Sequence, residues 1–107
     1  MGPLESKGNR ATFASVEDLA DLCDRIRLLI DRPPAGREDD VERTLTDGYA
    51  RALALEAERR RAENRLRALA GSAEHLVEAV ALKGRVGRID EELGELRLLL
   101  RGLAAQL

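Results

Sequence analysis

His75 is the only histidine of the chain, and it stands between Glu74 and Glu78. On a helix His75 and Glu78 share a face, so the pair has the chemistry to hold a metal if another subunit supplied further ligands. With no cysteine near it, His75 reads instead as a structural residue beside a helix turn. Asp18, Asp21 and Asp24 recur every three residues, and Glu91, Glu92 and Glu95 crowd a second segment. Carboxylates so spaced suit divalent cations when two acidic motifs face each other. Here they read as helix-start charges and a solvated face. Arg59-Arg60-Arg61, with Arg65 and Arg67, has the charge to meet phosphate. Glu56, Glu58 and Glu63 interleave it and no aromatic is close enough to stack a base, so a salt-bridged surface is the expectation. Cys23, the only cysteine, falls where a small apolar group is wanted and is expected to be buried and inert.

None of these groups assembles into a catalytic set. There is no glycine-rich phosphate loop and no Ser/His/Asp constellation, and no catalytic, cofactor or metal site is assigned. Arg88-Ile89-Asp90 with Leu93 and Leu96 resembles part of the first helix of small all-helical chorismate mutases, over barely a dozen residues. Arg101 falls one place off that family's spacing, and no site is carried over.

Composition narrows the architecture. The 107 residues suit one domain, 36% of them are charged, and Phe13 and Tyr49 are the only aromatics. Leu, Ala, Glu and Arg dominate, the composition of packed helices. The formal net charge of −2 offers no general attraction to nucleic acid. No apolar run is long enough to span a membrane, the first residues lack a signal peptide's apolar stretch, and a lone cysteine fits a reducing compartment. A cytoplasmic location is therefore expected.

Residues 1–14 carry Gly2, Pro3, Gly8 and Asn9 without periodicity and read as a flexible arm. A single all-helical domain is expected over 15–107, with helices at about 15–32, 39–70 and 73–106. Ser15 with Asp18, and Asp39 with Glu42, look like capping boxes. Pro33-Pro34 must end the first helix. Gly71-Ser72 must end the second, with Ser72 capping the third. Tyr49 is expected to pack beside the second helix's stripe.

The strongest periodic signal lies in the last helix. Leu82, Val86, Ile89, Leu93, Leu96, Leu100, Leu103 and Leu107 alternate by four and three, drawing a narrow seam that requires another helix. Helix 2 carries a thinner stripe, Val41, Leu45, Gly48, Ala52, Leu55, Arg59, Ala62, Leu66 and Leu69. Folding helix 3 back on helix 2 sets small against large, Gly48 meeting Leu100 and Ala52 meeting Leu96. Arg59 opposite Ile89 is the poor layer, and its guanidinium must reach outward or meet an acid such as Glu92.

The flanking charges point the other way. In the hairpin Glu58 would neighbour Glu92, Glu56 would neighbour Asp90, and Arg65 would neighbour Arg85. In a parallel pair of third helices every flanking pair is compatible, Glu78 with Lys83 and Glu92 with Arg97 among them. The expected fold is thus all-α: an antiparallel, coiled-coil-like hairpin plus a shorter N-terminal helix, packed as a dimer. Leu98 and Leu99 lie off the seam and form a candidate partner surface. The expected function is non-enzymatic scaffolding by homo-oligomerisation and partner-helix binding. Two alternatives remain: a small all-helical enzyme with an Arg/carboxylate site between helices, and a nucleic-acid-associated protein using the helix 2 arginines.

Overall fold

The computed structural model describes residues 18–32 and 36–107. The described residues are helical without a strand: α1 spans Leu19–Asp31, α2 Glu38–Leu69 and α3 Leu76–Ala104, the last preceded by a 3₁₀ turn at Ala73–His75. The proposed arm, Ser15 and Pro33-Pro34 lie outside the described residues.

Each helix start follows from local chemistry. Asp18 caps α1, its carboxylate accepting from the Ala20 N–H at 3.4 Å. At α2 the cap expected at Asp39 is not formed. The Arg37 carbonyl accepts from the N–H of Asp40 and Val41, at 3.0 and 3.2 Å. Glu38, Asp39 and Asp40 fill the first turn instead, where negative charge meets the positive end of the helix dipole. Gly71 ends α2 at φ +83°, a left-handed conformation that favours glycine. Ser72 occupies the cap position of the 3₁₀ turn, but its side chain makes no cap hydrogen bond. The tight turn satisfies the backbone in its place, the His75 N–H donating to the Ser72 carbonyl at 3.2 Å.

The chain forms two compact units. In the first, Leu22, Cys23, Ile26 and Leu29 of α1 are buried, as are Val41, Thr44 and Leu45 of α2 and Leu100 and Leu103 of α3. Gly48 permits the closest approach. A Cβ placed there would lie 2.3 Å from Cδ2 of Leu100. Gly102 does the same for α1, since a Cβ there would meet Ile30 Cδ1 at 3.3 Å. Gln106 Nε2 donates to the Ile30 carbonyl at 3.2 Å, and Arg25 Nη2 to Asp47 Oδ2 at 2.6 Å, so polar contacts also hold α1 in place.

In the second unit, residues 52–98, α2 and α3 form an antiparallel hairpin. Ala52, Leu55, Ala62 and Leu69 are buried from one helix and Ile89, Leu93 and Leu96 from the other. Burial of leucine-sized side chains, about 1.5–3 kcal/mol each, supplies most of the driving force.

The arginines flanking this hairpin each pair with an acid. Arg65 reaches Glu78 instead of Arg85, with Nε–Oε2 at 2.9 Å. Arg85 reaches Glu58 at 2.7 Å, and Arg97 pairs with Glu56. Residues flanking the seam of two antiparallel helices are staggered rather than level. A long arginine can therefore pass a like charge and meet an opposite one farther along. Arg59 turns outward as its layer demands, but to Asp90 at 2.6 Å and Glu63 at 3.3 Å, not to Glu92. Its Nε–H has no aligned acceptor despite that short contact, so the Asp90 contact is an ion pair rather than a good hydrogen bond. All these pairs are partly exposed and set register more than stability.

Candidate interaction surface

The seam residues separate by depth. Ile89, Leu93, Leu96, Leu100 and Leu103 are buried within the chain, Leu82 and Val86 are half-buried, and Leu107 is 63% exposed. Of the two candidate partner-surface residues, Leu98 is 64% exposed and Leu99 half-buried. Tyr49 lies more outward than expected, half of it in contact with solvent.

α3 carries a second line that the seam obscures in the sequence. Val77, Val80, Gly84, Gly87, Glu91, Gly94 and Leu98 repeat the same three-and-four spacing, and all are exposed. Val77 keeps 84% of its surface and Val80 61%. A Cβ at Gly84, Gly87 or Gly94 would meet nothing within 4 Å. None of these three glycines has a positive φ, so the backbone does not call for them. Each costs about 1 kcal/mol of helix stability relative to alanine. The signal was present in the spacing, but glycine in a helix reads as an interruption, and only the burial pattern shows that it marks one face.

The polar candidates are brought together only in part. Glu56, Arg59, Arg60, Glu63, Arg67, Asp90 and Arg97 line an open groove of about 500 Å³, floored by Leu93 and Gly94. Arginines and carboxylates do converge here, yet Arg59 and Arg97 are engaged with Asp90, Glu63 and Glu56. Arg67 donates to Asn64 Oδ1 at 2.9 Å, and Arg60 and Arg61 are exposed. His75 Nδ1 lies 3.7 Å from Glu78 Oε1, but no group of three His, Cys, Asp or Glu side chains able to hold a metal ion occurs among the described residues. Cys23 is buried. No described helix is long and apolar enough to cross a membrane.

Glu78 is the best-defined electrostatic feature. Its hydrogen bonds from Arg65 hold its carboxyl below the ordinary value, and the Arg65 guanidinium is raised in turn. A carboxylate with a depressed folded value stabilises the fold above its unfolded value, and that contribution fades as pH falls through the folded one. Glu78→Gln is therefore expected to lower Tm slightly at pH 7, with the difference from wild type vanishing as pH falls below about 4. Thermal melts at pH 7, 5 and 3 read this directly. A gap that widens in acid would show that the Arg65 contact is not the cause.

The fold and its surfaces define an all-helical chain with an antiparallel hairpin and exposed apolar side chains on α3. Compared with protein-family models, curated proteins and solved structures, the chain matches none.

Proposed function

We propose that this chain is a non-enzymatic helical interaction protein that acts in the cytoplasm through self-association, as a homodimer, and through binding of partner helices. Val77, Val80 and Leu98 on one exposed face of α3 carry this reading. Large apolar side chains aligned in water on a regular helix face mark contact surfaces. In this reading α2 and α3 pack as an antiparallel coiled coil. Leu98 and its neighbours on the exposed face of α3 remain available for partners.

Sedimentation velocity from about 5 to 500 µM tests it, and the expected result is a concentration-dependent rise from monomer to dimer mass. Leu98→Glu is expected to shift that transition to higher concentration while leaving helicity unchanged. A monomer at every concentration overturns the self-association.

The arginine-lined groove favours a second reading, an anion-binding or catalytic site between the helices. Arg59 and Arg97 already pair with Glu63, Asp90 and Glu56, which leaves Arg60 and Arg67 to meet a ligand. Binding of inorganic phosphate in calorimetry that is lost in Arg60→Ala would support it.

A further inference from the structure

We infer that the outer face of α3 binds the same face of a second copy, antiparallel, with Gly84 of each chain crossing Gly87 of the other. The inference rests on the self-association proposed above and names the surface and orientation of that contact.

The face runs from Val77 to Leu98, about 31 Å of helix. Side chains of very different size lie along it, and an antiparallel two-fold register matches them. With Gly84 opposite Gly87, Val77 falls opposite Gly94 and Val80 opposite the stem of Glu91. Val77 of one copy enters the space left by Gly94 of the other, and the paired glycines let the backbones approach at the crossing. The space is available, because added Cβ atoms at the three glycines touch nothing in the chain.

Charge selects the orientation. Lys83 flanks the face on one side and is exposed, as are Arg88, Asp90 and Glu91. In the antiparallel register Lys83 of one copy lies beside Asp90 and Glu91 of the other, and the two-fold axis makes this contact twice. Asp90 already meets Arg59 through Oδ1, which leaves its second oxygen for the lysine. A parallel pair would instead set Lys83 against Arg88 and Asp90 against Glu95, like against like. A contact one helix wide lies at the small end of specific interfaces, so a dimer in the micromolar range is expected.

Sedimentation equilibrium on the full chain and two variants tests the inference. Gly84→Ala/Gly87→Ala fills the crossing point without burdening the monomer. It is expected to raise Tm at dilute concentration, because alanine favours helix, and to weaken the dimer by roughly tenfold or more. Lys83→Glu is expected to weaken the dimer roughly tenfold in the antiparallel arrangement, whereas a parallel pair would tighten. A tighter Lys83→Glu dimer overturns the orientation. A dimer that both variants leave intact overturns the surface, while self-association stands elsewhere on the chain. A wild-type chain that stays monomeric overturns self-association itself.

Discussion

Leu96→Asp is expected to leave the chain largely unfolded at 25 °C. Leu96 is 0% exposed and sits in the α2–α3 hairpin. The substitution removes about 1.5–3 kcal/mol of apolar burial and adds the cost of a carboxylate in an apolar site. Together these reach about 4–5 kcal/mol or more, comparable with the whole stability of many small domains. In circular dichroism at 222 nm the melt should move down by roughly 20 °C or more, or start from a partly lost signal. The effect has a pH signature of its own. A carboxyl buried without a partner is raised in the folded state, so the variant is least destabilised in acid and worsens as pH rises above about 4. A Leu96→Asp melt that coincides with wild type would mean that the seam is not enclosed by α2.

Gly48→Leu is expected to be the next most damaging change. The space beside Gly48 is filled by the Leu100 side chain, which is 2% exposed. A leucine there overlaps a buried side chain from its first carbon, and overpacking of this kind costs about 1–3 kcal/mol or more. Tm should fall by roughly 4–8 °C for each kcal/mol. Gly84→Ala, on open surface, provides the control and should gain up to about 1 kcal/mol from helix propensity alone. If Gly48→Leu melts no lower than wild type, α2 and the end of α3 do not approach at this point. The contrast between the two glycines separates a residue kept small by contacts inside the chain from one with no such contact.

The proposed two-fold contact has a consequence for these measurements. A dimer stabilises its folded subunits by mass action, so melts should be recorded at fixed concentration. Variants of the outer face and of the buried seam then differ in kind. The first change concentration dependence with little effect on helicity. The second change helicity at every concentration.

Periodicity alone determined that this chain is helical and that α3 needs a neighbour. An apolar residue at alternating steps of three and four has only one way to leave water, which is against another helix. Small residues at Gly48 and Ala52 likewise announced a close approach on α2. The Gly71 turn was legible for a comparable reason, since a left-handed residue after a helix favours glycine. Which charges pair was not legible. Arg65 and Arg85, expected beside each other, reach Glu78 and Glu58 instead, and Arg97 reaches Glu56; that choice depends on side-chain reach and helix stagger, which spacing does not encode. Nor did the sequence alone pick out the second line on α3, because its glycines read as interruptions rather than as one face. Both the leucine seam and the valine–glycine line repeat every seven residues. Tertiary packing buried the leucines because they remove more apolar surface from water, and so left Val77, Val80 and their glycines facing outward.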